Sequence, residues 1–198
     1  MSADFAEQLY TPEQYLEWEL ANPERYEYVN GRIYAMAGAS EWHNTVAGML
    51  FALLRIEGKK RGCTAYTNAM RVKISDTGRY TYPDIVVVCG KPEIEKYKRT
   101  DTLLNPLIII EVLSESTESE DRGNKWEHYR KLETLAEYSL VAQGRPHIER
   151  YKRHGEIWHF SEINGMDGVL SLEAMDVTIP LREIYDEVDF ASGAEQRD

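Results

Sequence analysis

The stretch LIIIEVLS, residues 107–114, places a glutamate inside a run of apolar residues. Short apolar runs of this kind are typical of strands that are covered on both faces of a sheet. An ionised carboxylate in such a strand is costly unless a cation or hydrogen-bond donors compensate for its lost hydration. The sequence therefore predicts that Glu111 is neutralised, paired with a cationic side chain, or bound to a metal ion.

The size and composition of the chain predict one globular domain. It has 198 residues, 42% hydrophobic and 29% charged, and we expect a single domain over residues 1–190 with a disordered tail at 191–198. No apolar run approaches the roughly 18 residues of a membrane helix, and the first residues lack a signal peptide's features, so we expect a cytoplasmic protein. Cys63 and Cys89 have no CxxC spacing, so we expect buried thiols and neither a zinc site nor a disulfide.

The charge of the chain limits how it could bind nucleic acid. The formal net charge of −11 excludes a protein that coats DNA over its whole surface, because such binding depends on lysine and arginine. Any contact with DNA is expected to be weak and local. Basic residues cluster at 59–61, 96–99 and 150–154, and the simplest interpretation is that they are solvated loops and strand edges.

Local signals predict the N-terminal elements. The capping box Thr-Pro-Glu-Gln at 11–14 predicts a helix that ends before Pro23. Asn30-Gly31 predicts the two-residue turn of a β-hairpin. Apolar residues at helical spacing predict an amphipathic helix over 41–58, with His43 on its inward-facing side.

The rest of the chain alternates between strands and helices. We predict strands at 63–66, 69–74, 84–88, 107–113 and 137–143, and shorter strands from 147 to 179. We further predict a functional or mobile loop at 90–106, a helix at 119–134 and a final helical turn at 181–185. The fold class is α/β or α+β, with a central sheet covered on both faces.

Asp84 follows a proline at the start of an apolar strand. If the strands at 84–89 and 107–113 pair antiparallel, Asp84 and Glu111 lie side by side at one end of the sheet. Converging carboxylates suit Mg²⁺ or Mn²⁺, which prefer oxygen ligands. The alternative is structural: Asp84 begins its strand, and Glu111 pairs with an arginine such as Arg71.

A lysine follows on the next helix. Lys125 lies about one turn into that helix and could reach back to Glu111, with Tyr129 one turn further along the same face. An ordinary ion pair between Asp121 and Lys125 explains the same spacing equally well.

At these residues the chain resembles the bacterial "Uma-two" family of restriction endonucleases, within the PD-(D/E)XK nuclease superfamily. The likeness spans roughly residues 10–160. It is carried by Y-E-Y-V-N-G at 26–31, His43 with its following helix, Y-P-D at 82–84, I-I-E-V-L-S at 109–114, D-R-G-N-K at 121–125, Tyr129, and E-Y at 137–138.

The resemblance implies a restriction-endonuclease-like αβββαβ core: a central mixed sheet flanked by helices, with an N-terminal helix and β-hairpin and C-terminal strands added. It implies that Asp84, Glu111 and the backbone carbonyl of Val112 bind Mg²⁺ or Mn²⁺. The superfamily carries a lysine where this chain has Leu113, and the resemblance implies that Lys125 takes that role.

Two further polar positions match the family pattern. The resemblance implies that Glu27 and His43 complete or orient the site. Each has a simpler explanation: a hydrogen bond from Tyr34 across the hairpin for Glu27, and packing at a helix N-terminus for His43.

The activity that this pattern implies is hydrolysis of DNA phosphodiester bonds by a metal-dependent endonuclease, with a homodimer as the expected assembly. Two other interpretations remain. The chain could be a non-catalytic interaction module on a nuclease scaffold, or a metal-dependent hydrolase of another substrate.

Overall fold

The computed structural model describes residues 9–36 and 38–190. The predicted disordered tail at 191–198 lies outside these residues. Among the helices that are described, none is long and apolar enough to cross a membrane.

The elements of the first half of the chain are short apart from one long helix. In chain order they are α1 (Pro12–Ala21), β1 (Tyr26–Val29), β2 (Arg32–Ala35), α2 (Glu41–Lys60), β3 (Cys63–Thr67), β4 (Arg71–Ile74), β5 (Arg79–Thr81), β6 (Ile85–Cys89), β7 (Ile94–Tyr97) and β8 (Thr100–Leu103). The capping box at the start of α1 forms, and Asn30 and Gly31 have positive φ in the turn between β1 and β2. Both predictions are confirmed.

The second half begins with the strand that carries Glu111. Its elements are β9 (Ile108–Leu113), α3 (Glu118–Glu120), a π-helical segment (Asp121–Lys125), α4 (Trp126–Tyr129), β10 (Glu137–Ala142), β11 (His147–His154), β12 (Ile157–Asn164), β13 (Val169–Leu172), a 3₁₀ turn (Glu173–Met175), β14 (Val177–Pro180) and α5 (Leu181–Ile184).

The described strands form two six-stranded sheets and a separate two-stranded sheet of β13 and β14. The central sheet has the order β12-β11-β10-β9-β6-β3, and the second sheet has the order β2-β1-β5-β4-β8-β7. Within the central sheet β9 and β10 are parallel and the other pairs are antiparallel. The elements α2, β3, β6, β9, α3–α4 and β10 follow the predicted αβββαβ order, and the predicted mixed α+β fold is confirmed.

Alternate residues of β9 pack against different layers. Ile108, Ile110 and Val112 belong to the core cluster formed with α2, whereas Ile109 and Leu113 belong to the cluster formed with the second sheet. Because successive strand residues point to opposite faces, Glu111 points toward the second sheet. All six residues of β9 are buried.

The same alternation organises the second sheet. Tyr28 of β1 and Tyr80 of β5 pack with Tyr15 of α1 on the outer face. Their polar neighbours in sequence therefore point to the inner face, toward β9. This places Glu27, Arg79 and Thr81 near Glu111.

Three predictions of secondary structure are wrong. The segment 90–106 is not a loop, since it contains the hairpin of β7 and β8, which continues the second sheet beside β4. The hairpin has little apolar pattern because β7 is a half-exposed strand at the edge of the second sheet. β5 was missed within a turn-rich stretch. The helix predicted over 119–134 ends at Tyr129, and Arg153 binds the carbonyls of Arg130, Leu132 and Leu135 beyond that end.

The prediction for the two cysteines is also wrong. Cys63 of β3 lies directly opposite Cys89 of β6, and the two residues form a disulfide. Sequence spacing alone did not reveal this pairing, because it depends on the antiparallel register of the two strands.

Gly31 and Gly48 provide a matched test of the hairpin turn. At Gly31, φ is +86° and an added Cβ would lie 3.1 Å from Leu9 Cδ2. Gly48 lies within α2, and a Cβ added there would meet no neighbouring side chain or other element within 4 Å. We expect Gly31→Ala to lower the free energy of unfolding by about 1–3 kcal/mol. Gly48→Ala should raise it by about 0.5–1 kcal/mol. Urea denaturation measures both, and a Gly31→Ala variant as stable as the wild type would contradict the turn geometry.

Candidate active site

Asp84 and Glu111 meet where β6 begins and β9 ends. The antiparallel pairs Ile85–Ile110 and Val86–Ile109 bring these ends together. The Asp84 N–H donates to Glu111 Oε2 at 3.1 Å, and the Val112 N–H donates to Asp84 Oδ2 at 2.8 Å. Each carboxylate is thus anchored to the other residue's strand, and the two side chains converge at one end of the central sheet.

Lys125 lies among three carboxylates. Its Nζ is 3.0 Å from Glu111 Oε1, 2.8 Å from Asp121 Oδ1 and 3.8 Å from Glu27 Oε1. The two interpretations of its spacing are therefore compatible, since the lysine contacts both Glu111 and Asp121. Lys125 is 9% exposed and ends the π-helical segment, a conformation that is frequent at functional sites.

The buried charges shift one another's pKa values. Burial raises the pKa of Glu111 to about 8; Lys125 opposes this shift, and Asp121, Asp84 and Glu27 add to it. Burial alone would lower the pKa of Lys125, but the carboxylates of Glu111, Glu27 and Asp121 raise it well above its ordinary value. The ammonium group is therefore fixed in its charged form, whereas the Glu111 carboxylate lacks full compensation.

His43 faces Asp84 from the first turn of α2. Ser40 caps this helix, and the His43 Nε2 lies 3.1 Å from Asp84 Oδ1. The His43 Nδ1 is buried and has no hydrogen-bond partner among the described residues. The imidazole thus contacts the candidate site directly and is not merely packed against apolar groups.

Glu27 reaches the site from the second sheet. Its carboxylate accepts hydrogen bonds from the Thr81 hydroxyl, from Arg79 Nη2 at 2.9 Å and from the Tyr82 N–H at 3.4 Å. Tyr34 lies opposite Glu27 in the hairpin but is 49% exposed. The hydrogen bond from Tyr34 is therefore the wrong explanation for this glutamate.

A chain of hydroxyl groups links Glu27 to Glu111. The Thr81 hydroxyl lies 3.3 Å from the Tyr129 hydroxyl, which donates to Glu111 Oε1 at 2.9 Å. Thr81 was missed because its strand lies in the turn-rich stretch before Asp84. The helical spacing of Tyr129 from Lys125 was the signal that placed it on the site-facing side.

Arg79 is a second cation that sequence reasoning missed. It is 1% exposed, and its Nη2 binds Glu27 at 2.9 Å and Glu120 at 3.1 Å. Arg71, the arginine suggested as a structural partner of Glu111, instead pairs with Glu19 and donates to Thr102. That part of the structural alternative is wrong.

A cavity of about 420 Å³ opens onto these groups. Its lining includes the five predicted side chains, Glu27, His43, Asp84, Glu111 and Lys125. Val112, the sixth predicted residue, lies next to Glu111 in β9 and contacts Asp84 through its backbone N–H.

The donor set is compatible with a divalent cation. The carboxylates of Glu27, Glu111 and Asp121 contact Lys125, that of Asp84 adjoins Glu111, and Arg79 binds Glu27. The negative groups outnumber these two cationic side chains, and hard cations such as Mg²⁺ and Mn²⁺ bind to carboxylate oxygens. Asp84 and Glu111 could hold such an ion together with the carbonyl of Val112.

Comparisons with known proteins agree with this fold. A family model described as "Putative restriction endonuclease" (Uma2) matches residues 12–182. Two proteins of Synechocystis sp. (strain PCC 6803), the uncharacterized proteins slr1290 and sll1609, are each 31% identical to the chain, over 176 and 168 residues. These alignments cover 88% of this chain and 90% of slr1290, and 84% of this chain and 94% of sll1609.

A solved structure has a similar fold. The crystal structure of "a putative nuclease belonging to DUF820" from Anabaena variabilis superposes with a TM-score of 0.71 and 16% sequence identity. The match covers 89% of this chain and 97% of that protein. At this level of identity the likeness concerns the fold alone.

The raised pKa of Glu111 predicts a particular pH dependence of stability. Between its ordinary value and about 8, the folded state retains a proton that the unfolded state has lost. The free energy of unfolding should therefore fall as pH rises through this range, by up to about 1.4 kcal/mol per pH unit.

Urea denaturation in EDTA at several pH values measures this slope. Glu111→Gln should show a smaller slope, whereas Glu156→Gln, at an exposed position, should keep it. Equal slopes in the wild type and in Glu111→Gln would contradict the assigned burial effect.

Proposed function

The chain belongs to the Uma2 family, and from this premise we propose that it is a metal-dependent endonuclease that hydrolyses phosphodiester bonds of DNA. The observation that carries the proposal is the convergence of three groups. The Asp84 backbone lies 3.1 Å from the Glu111 carboxylate, and the Lys125 amine lies 3.0 Å from the same carboxylate. Two acids can hold a metal ion that assists phosphodiester hydrolysis, and a lysine beside them can stabilise the developing negative charge.

Asp84, Glu111 and the Val112 carbonyl would hold Mg²⁺ or Mn²⁺. When bound, the ion supplies Lewis-acid chemistry and lowers the pKa of a coordinated water. The role of the two strands is to keep the ligands in place, since Asp84 is fixed by the Val112 N–H and Glu111 by the Asp84 N–H.

Lys125 would act on the reacting phosphate. Its raised pKa keeps Nζ protonated, so the group donates hydrogen bonds at any pH near neutrality. A fixed ammonium beside the scissile phosphate stabilises the negative charge that grows on the phosphate oxygens in the transition state. The same group can orient the attacking water.

Glu27 and His43 would position the other groups. Glu27 holds Arg79 and, through Thr81 and Tyr129, is linked to the carboxylate of Glu111. His43 holds Asp84 Oδ1 at 3.1 Å. Hydrogen-bond partners of this kind restrict the orientation of ligand carboxylates and tune their affinity for metal.

DNA would be contacted locally and in a salt-dependent way. The net charge is −11, and several surface basic groups already pair with acids, such as Lys98 with Glu17 and Arg61 with Glu57. We further propose a homodimer, because two copies would present one site to each strand of a duplex.

A specific observation favours a second candidate function, a non-catalytic interaction module. The Glu111 carboxylate already accepts hydrogen bonds from Lys125 and Tyr129 at 3.0 and 2.9 Å. These contacts would hold the buried carboxylate as an ion pair without a metal. Binding of a divalent ion separates the two functions.

We expect Mn²⁺ to stabilise the wild-type protein. At a concentration one hundred times the dissociation constant, the free energy of unfolding should rise by about 2.7 kcal/mol, and thermal denaturation measures the change. Asp84→Ala should lose this response because a ligand is missing, whereas Glu156→Gln should retain it. A wild type that does not respond to Mn²⁺ favours the interaction module.

With Mg²⁺ present, we expect the wild type to cut plasmid or single-stranded DNA. Removing a group that acts in the transition state should lower the rate about a hundredfold or more, so Glu111→Gln and Lys125→Ala should be nearly inactive. Lys98→Ala, an exposed lysine variant, is the matched control, and circular dichroism verifies the fold of each variant. Equal rates in all four proteins would assign the activity to a contaminant and reject the proposal.

A further inference from the structure

A separate group of possible metal ligands lies on the ribbon of β11 and β12. Glu149 lies directly opposite Glu162, and His147 lies directly opposite Asn164. Because alternate strand residues share a face, all four side chains lie on one side of the ribbon. One ligand atom from each of His147, Glu149 and Glu162 lies within 4.8 Å of the other two.

The separations of these atoms are close to those of a metal site. The His147 Nε2 lies 3.4 Å from Glu149 Oε1 and 3.8 Å from Glu162 Oε1. In a tetrahedral zinc site with bonds of about 2.0–2.2 Å, ligand atoms are about 3.3–3.6 Å apart. Small side-chain rotations would therefore bring the three atoms into coordinating positions.

The two buried ligands are anchored through their other atoms. The Nδ1 of His147 lies 2.8 Å from Asn164 Oδ1, and this contact orients the ring with Nε2 toward the carboxylates. The other oxygen of Glu149 pairs with Arg122. Histidine ligands are commonly oriented by such a contact on the second ring nitrogen.

The charges of the cluster call for a cation. Two carboxylates directly opposite in a sheet repel each other, and Arg122 compensates only one of them. The His147 Nε2 lies beside both carboxylates, so the space between the three atoms suits a metal ion. His147 is 3% exposed, whereas the side chain of Glu162 is 50% exposed and leaves a path for an ion.

We propose that His147, Glu149 and Glu162 form a zinc site distinct from the carboxylates of Asp84 and Glu111. One imidazole and two carboxylates are a ligand set that suits Zn²⁺ better than Mg²⁺, which prefers oxygen ligands. A water molecule would complete the coordination on the exposed side.

The site would also connect two parts of the fold. Arg122 belongs to the π-helical segment that ends with Lys125, and it binds Glu149 and Glu118. Zinc on the ribbon would hold Glu149, and through Arg122 it would hold the helical segment that carries Lys125. Its expected effect is to stabilise the protein.

The test uses full-length Asp84→Ala, in which the candidate active-site ion is removed. Calorimetric titration should show one Zn²⁺ bound per chain. Co²⁺, used as a spectroscopic probe, should give the visible absorption bands of a four-coordinate site. In the same background, Glu162→Gln should bind Zn²⁺ at least tenfold more weakly because a ligand is lost. Glu156→Gln, at the turn between β11 and β12, should bind it unchanged.

Two results would overturn the proposal. If Asp84→Ala binds no Zn²⁺, the cluster is not a zinc site. If Glu162→Gln binds Zn²⁺ as tightly as Glu156→Gln does, the ion lies elsewhere. Neither result affects the nuclease proposal, which is tested by Mn²⁺ stabilisation and DNA cleavage in chains with an intact Asp84.

Discussion

The burial of the Glu111 carboxylate is the constraint on which the arrangement of this protein depends. The side chain is 2% exposed, and its two oxygens accept hydrogen bonds from Lys125, Tyr129 and the Asp84 N–H. These donors come from the helical segment after β9 and from the start of β6. A carboxylate without these donors would destabilise the central sheet. The elements that stabilise Glu111 are therefore the same elements that form the candidate site.

Local patterns predicted the two acidic strands at the centre of the fold, and the family resemblance added the αβββαβ order. The apolar run around Glu111 and the one after Asp84 are neighbouring strands in the sequence, and neighbouring strands tend to pair, so the meeting of the two acids followed. Helical spacing placed Lys125 within reach of Glu111 or of Asp121, and the family resemblance indicated its role at the site. The contribution of the second sheet was not predicted, because Arg79 and Thr81 lie on a three-residue strand whose composition resembles a turn and one of whose partners, β1, is distant in sequence.

Paired buried charges recur through the molecule. Arg71 pairs with Glu19, and Arg150 pairs with Glu137, each in a buried or nearly buried position. These arginines therefore belong to the interior and are not available to contact a phosphate backbone. Around Glu111 the acidic side chains outnumber the basic ones. This excess of carboxylates distinguishes the candidate active site from the other buried ion pairs.

The π-helical segment determines which residues of this helix face the sheet. A π turn accommodates one more residue than an α turn between the same two ends. Loss of one residue within Asp121–Lys125 would therefore allow a regular α-helix whose flanking residues keep their positions. If the full set of residues were wound as a regular α-helix, those beyond the π turn would be rotated by about 100° and would face a different neighbour.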